Sequence, residues 1–232
     1  MENSFDFFEK IYCINLNHRT DRWENCVSQF NQLGIQNRVE RKEATVCAHP
    51  KLNRKQNAQV GCALSHYKIF KEAQKNNYSS ILILEDDFLF TKTASEIQEE
   101  IKKSTEELPK NWDAYYLGGF IVKGYDFAPV ENFSNNLIRI KTCFCTHAIG
   151  YSINGVNNVL KNLKLDTEQQ ILTLTKEYEA IDWYFATEWQ HRNNCYGPRS
   201  LLCVQREGFS DIDQEHGNHR HRLEESYKEY VK

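Results

Sequence analysis

The chain has 232 residues, 40% hydrophobic and 12% aromatic, with a formal net charge of -3. That length and composition suit one domain with a full core, or two small ones, and exclude a disordered chain. The slight acidity argues against a nucleic-acid partner bound through overall charge, and no apolar stretch reaches the roughly 20 residues of a membrane span. The first residues lack the basic start and apolar core of a signal peptide, so a cytoplasmic protein is expected. Its eight cysteines sit largely among apolar neighbours and read as reduced thiols. No CxxC occurs, and Cys143-Phe144-Cys145 is too closely spaced for a usual zinc pair.

The first core strand is Ile11–Leu16, followed by the polar turn Asn17-His18-Arg19-Thr20-Asp21-Arg22. Thr20 or Asp21 is placed to cap a helix whose Trp23, Cys26, Val27, Phe30 and Leu33 share one face, and Gly34 ends it. A strand, an arginine-bearing turn and a helix suit anion binding, although the arginines of such a turn can equally pair with nearby acids. A second strand is expected within Arg38–Ala44, then a polar loop through Asn57. Val60-Gly61-Cys62-Ala63-Leu64-Ser65-His66 opens the next helix, its small residues allowing close packing and Ser65-His66 facing either a ligand or the core.

Ile81-Leu82-Ile83-Leu84 runs without alternation into Glu85-Asp86-Asp87. Such a run reads as a strand buried on both faces, delivering its carboxylates at the C-terminal end, where open α/β sheets bind ligands. Three adjacent acids call for a compensating cation, and hard oxygen donors suit Mg²⁺ or Mn²⁺. A solvated acidic turn is the alternative.

Beyond it, a polar helix carries Ile97, Ile101 and Leu108, and Trp112–Gly119 reads as a strand ending in a glycine pair open to close approach. Strands follow at Leu137–Ile140 and Thr146–Ile153, then a helix with Val156, Val159, Leu160 and Leu163. Asp182 lies in an apolar, aromatic setting, where burial raises a carboxyl's pKa toward that of a general base. Leu201–Gln205 is the last expected core strand. The end is charged, with His216, His219 and His221 before a short amphipathic helix at Leu223–Tyr230.

Five stretches in this order resemble glycosyltransferase family 25, the lipooligosaccharide and procollagen galactosyltransferases. They are Ile14-Asn15-Leu16 with Arg19, Asp21 and Arg22; Arg41–Ala44; Gly61-Cys62 with Ser65-His66; Leu84–Asp87; and Thr146-His147-Ala148, Gly150-Tyr151, Asp182, Gln205 and Ser210-Asp211-Ile212. The resemblance implies a single-domain α/β fold of GT-A (Rossmann-like) type, a central mixed sheet flanked by helices. Residues 1–212 would form it, 1–125 as the nucleotide-sugar half and 126–212 as the acceptor half, with 213–232 a His-rich tail.

The same resemblance implies a UDP-sugar donor, a divalent metal and inverting hexosyl transfer of galactose or glucose. The acceptor could be a glycan, a lipid-linked sugar or a protein. Asp87 with Glu85 or Asp86 would hold the metal, His219 or His216 adding a ligand. Asn15, Arg19 and Arg22 would assist donor binding, Glu43 and Ala44 would lie near the base or ribose, and Ser65 and His66 would line the pocket. Asp182 is the first choice for catalytic base and Asp211 the second. A catalytically silent nucleotide-sugar-binding protein is the competing class, and a nucleotidyltransferase a third.

Overall fold

The computed structural model describes residues 3–123 and 128–231, so the expected division at 125/126 falls outside the described residues. The first part contains β1 (Lys10–Asn15), α1 (Thr20–Leu33), β2 (Val39–Glu43), α2 (Arg54–Asn76), β3 (Ser80–Glu85), β4 (Phe88–Phe90), α3 (Ala94–Glu106), β5 (Ala114–Tyr116) and β6 (Phe120–Ile121). There follow β7 (Val130–Asn132), β8 (Leu137–Ile140), β9 (Cys143–Phe144), β10 (Ala148–Ser152), α4 (Ile153–Asn162), α5 (Glu168–Glu177) and α6 (Ile181–Tyr184). Last come β11 (Cys195–Pro198), β12 (Cys203–Gln205), β13 (Gly208–Phe209), β14 (His216–Gly217) and α7 (Arg220–Tyr230).

Eight strands form one sheet in the order β2-β1-β3-β10-β5-β11-β8-β7. β1 pairs in parallel with β2 and β3, while β10 runs antiparallel between β3 and β5. A strand from the second half therefore sits inside the sheet begun by the first, and the fold is a single α/β domain with the central mixed sheet expected.

The aliphatic run explains the layering. Ile81, Leu82, Ile83 and Leu84 are fully buried, and alternation sends them to opposite faces. Ile81 and Ile83 meet Ala63 and Phe70 of α2, with Val156 and Val159 of α4 in the same core. Leu82 and Leu84 join Phe30 of α1 and Ile97 and Ile101 of α3. Full burial of each such side chain stabilises the fold by about 1.5–3 kcal/mol before chain entropy is counted. A polar residue at any of the four would break one face.

Several elements differ from expectation. Neither Thr20 nor Asp21 caps α1; its N-cap is Arg19, whose side chain makes no capping hydrogen bond, although Gly34 does end the helix at φ 70. The loop expected through Asn57 is shorter, because Asn53 and Gln56 form a capping box that starts α2 at Arg54. Leu108 lies beyond α3. β12 does not join the main sheet; it pairs with β4 in a separate ribbon. That ribbon supplies the close approach at the glycine pair, since a Cβ on Gly118 would lie 1.8 Å from the Cys203 carbonyl oxygen. In the C-terminal segment, α7 buries Leu223, Ser226 and Tyr227, and Ser226 accepts the Ile121 amide of β6 through its hydroxyl oxygen at 3.3 Å.

Candidate active site

The C-terminal ends of β1 and β3 open into a cleft of about 1050 Å³. Glu85 closes β3, and the chain turns so that the three acids take different partners. Asp86 faces α1: its carboxylate accepts from Arg22 at 2.6 Å and from Asn15 Nδ2 at 2.6 Å. Both of its oxygens are thus committed within the protein. Glu85 turns the other way, where one oxygen meets His66 Nε2 at 3.0 Å and accepts from the Thr146 hydroxyl at 2.5 Å. Burial opposes its ionisation, but His66 and Thr146 outweigh that and hold the carboxyl below its usual range.

Asp87 is the exception. One oxygen accepts from Gln205 Nε2 at 3.1 Å, and Oδ1 is buried with no hydrogen-bond partner among the described residues. Burial, with the Glu85 charge beside it, pushes this carboxyl up to about 7. Glu85 and Asp87, two residues apart and both lining the cleft, are a pair of hard oxygen donors with an unsatisfied position between fold and ligand.

The cations of the first turn are engaged. Arg19 holds Asp21 through two bonds, at 3.0 and 2.9 Å, and reaches across the chain to Asp211. Arg22 also donates to the Phe209 carbonyl at 2.6 Å. Arg54 donates to the Asp211 and Ile212 carbonyls at 2.9 and 2.7 Å, and Lys55 pairs with Asp213 at 2.8 Å. The segment around Asp211 is therefore strapped to α1 and α2 by four basic residues. Arg41, over the Trp23 ring at 4.8 Å, donates to Asn15 and completes the support of Asp86.

Asp182, in the first turn of α6, also lines the cleft and accepts from the Cys145 amide at 3.2 Å and the Trp183 amide at 2.9 Å. Burial raises its pKa; those amides lower it in part, and the Glu85 charge adds to the rise. Trp183 stands beside it, 43% exposed, with Phe144 edge-on at 5.1 Å.

Ser65 is buried, donating to the Gly61 carbonyl at 2.7 Å and accepting the Thr45 amide at 2.8 Å. It pins the segment after β2 to α2, and Gly61 makes the approach possible, since a Cβ there would lie 2.4 Å from the Thr45 oxygen. Ala44, Thr45 and Val46 line the cleft as a result.

Most of the residues singled out in sequence do converge: Asn15, Arg22, Ala44, Ser65, Glu85, Asp86, Asp87, Asp182, Asp211 and His219 all border the cleft. Four take other places. Arg19 serves the Asp21 and Asp211 pairs; Glu43 is exposed at the end of β2. His66, 0% exposed, is sealed behind Glu85 rather than lining the pocket. His216, in β14, packs against Phe209 at 5.6 Å. Cys62, quoted in sequence only as part of a motif, borders the cleft too, as do His18, Arg54 and Lys55, which were not singled out; for Arg54 and Lys55 the capping box was the available signal.

The profile of glycosyltransferase family 25 (LPS biosynthesis protein) matches residues 8–146. The chain belongs to this family. Among curated members, the bovine (Bos taurus) "Probable inactive glycosyltransferase 25 family member 3" is 23% identical over 218 residues, 85% of this chain and 36% of that protein. The Xenopus laevis procollagen galactosyltransferase 1-A is 26% identical over 129 residues, 48% of this chain and 21% of that protein. This family 25 chain thus spans about a third or less of those two relatives. Among solved structures it is similar to A197 from STIV (12% identity, 89% and 92% coverage, TM-score 0.46). It is also similar to a glycosyltransferase involved in glycosylation of the major capsid of PBCV-1 (11% identity, 94% and 98% coverage, TM-score 0.40). Among the described residues of this family 25 member, no helix is long and apolar enough to cross a membrane.

Proposed function

We propose that this chain is a metal-dependent, inverting hexosyltransferase that moves galactose or glucose from a UDP-sugar to a hydroxyl of a glycan, lipid-linked sugar or protein. The observation that carries it is one cleft lined by Glu85, by Asp87 with its orphaned Oδ1, and by Asp182. A buried carboxylate oxygen without a donor is where a hard cation fits, and Mn²⁺ or Mg²⁺ prefers such oxygens. Glu85 and Asp87 would hold the ion, with His219 on the cleft's rim. When bound, it supplies Lewis-acid neutralisation of the departing diphosphate.

The chain's own residues do the rest. Asp86 takes no part in ligation; with Asn15 and Arg22 it fixes the turn that presents its two neighbours. The segment after β2, held by Ser65, forms a wall for the base and ribose. Asp182, its basicity raised by burial, takes the acceptor hydroxyl's proton as the oxygen bonds to the anomeric carbon. The bond from that carbon to the phosphate oxygen breaks, and its electron pair leaves with UDP. Trp183 offers a ring face to the acceptor sugar. A protein acceptor and galactose agree with the name of the Xenopus relative.

The name of the bovine relative favours a second reading, a silent nucleotide-sugar-binding member. One titration separates them: a panel of nucleotide sugars, with and without Mn²⁺, followed by nucleoside diphosphate release. Metal-dependent turnover of one UDP-hexose, lost in Asp87→Ala, supports the transferase. Binding without release, even when collagen-type and glycan acceptors are added, supports the silent protein. No binding of any nucleotide sugar overturns both.

A further inference from the structure

Behind the acidic floor lies a donor set of different chemistry. Cys62 and His66 are four residues apart on α2 and therefore on one face of it. One ligand atom from each, with one carboxylate oxygen of Glu85, all lie within 4.8 Å of one another. The His66 Nε2 to Glu85 Oε1 separation is 3.0 Å, near the roughly 3.3 Å between neighbouring ligands of a tetrahedral ion with bonds of about 2.0–2.1 Å.

We propose that Cys62, His66 and Glu85 form a binding site for a borderline-soft divalent cation of the zinc class. Thiolate, imidazole and carboxylate together match such an ion, whereas Mn²⁺ and Mg²⁺ are served by oxygens alone. His66 comes from a rigid helix and is fully buried, with Nε2 aimed at the Glu85 carboxylate. Cys62 and Glu85 border the cleft, giving the ion a route in and leaving the fourth position toward solvent. Thr146, bonded to Glu85 Oε1 at 2.5 Å, already orients the carboxylate.

Binding displaces the Cys62 thiol proton to solvent and moves the imidazole proton from Nε2 to Nδ1, so that Nε2 carries the ligating lone pair. Because Glu85 is shared, occupancy by zinc withdraws it from the hard-ion pair. That inhibitory consequence rests on the proposed function; the binding itself does not.

The test uses the full chain without nucleotide. Zn²⁺ is titrated by calorimetry, and Co²⁺ serves as the spectroscopic stand-in, read by thiolate-to-cobalt charge-transfer absorption. The wild type is expected to bind one ion with that band. Cys62→Ser, nearly isosteric, should lose the band and weaken Zn²⁺ by at least about tenfold, while Asp87→Asn keeps both. His66→Gln, checked for folding by circular dichroism, gives the second arm and should also weaken Zn²⁺. An undiminished band in Cys62→Ser would assign the ion to another cysteine, and absence of binding in the wild type would equally overturn the site. Neither result depends on whether any nucleotide sugar is turned over.

Discussion

Arg22 donates to Asp86 across 2.6 Å, joining the first turn of α1 to the middle acid of the Glu85-Asp86-Asp87 cluster. Asn15 takes the other oxygen. The two side chains are only 18% and 9% exposed, so the pair is shielded from solvent and holds the turn in which the flanking acids are presented. Removing one partner leaves the other charge with little water around it. Asp86→Ala is expected to cost about 3 kcal/mol in urea unfolding.

Asp87 behaves in the opposite way. Its charge is opposed by burial and by Glu85, so Asp87→Asn should not lower the stability of the metal-free protein. Mn²⁺ at millimolar concentration should raise the wild-type Tm and leave the Asp87→Asn Tm unmoved. Equal shifts in both would place the ion elsewhere.

In the proposed function Asp182 is the catalytic base; its two carboxylate oxygens accept one backbone amide each, from Cys145 and Trp183, and an asparagine oxygen can still accept one of them. Asp182→Asn is expected to lower kcat by about 10²–10⁴-fold with donor affinity nearly unchanged. Loss of both together, measured by turnover and nucleotide titration, would make the residue structural.

His147 sets an acid limit on the fold. It is fully buried, and burial lowers its pKa below 6.5, with Glu85 and the Cys203 carbonyl opposing only in part. The unfolded chain gains this proton near pH 6.5 while the folded protein does not. The stability His147 contributes is therefore full above pH 6.5 and is lost as pH falls toward the depressed folded value, by up to about 1.4 kcal/mol per pH unit. Urea titrations from pH 7.5 to 5 should show this slope, and His147→Gln should flatten it.

Gly61→Ala tests the wall of the cleft. The added methyl meets the Thr45 oxygen at 2.4 Å, which forces the segment after β2 off α2 at a cost of about 1–3 kcal/mol. Nucleotide binding should weaken more than the helix content falls, as followed by titration and circular dichroism.

What the sequence by itself determined was local. The unalternating run Ile81–Leu84 marked the central strand and the end from which its acids emerge. The spacing of Cys26, Phe30 and Leu33 marked the buried face of α1, and the ordered motifs marked the family. Pattern suffices there because burial on a strand or helix imposes a period on neighbouring residues. The Asn53–Gln56 capping box belonged to the same local class.

Only the tertiary structure decided which of these residues are spent inside the fold. Arg19 meets Asp211 across 192 positions and Glu85 meets Thr146 across 61, and no periodicity encodes a partner at such distance. The same holds for β12, a core strand whose partner is β4 rather than a strand of the main sheet, and for His66, open in sequence to either ligand or core and placed behind Glu85. Among Glu85, Asp86 and Asp87, three neighbours in sequence, the folded surroundings leave only Asp87 with an unpaired buried oxygen. The difference arises from burial and from the charges brought beside each carboxylate, which are properties of the packed chain rather than of the residue.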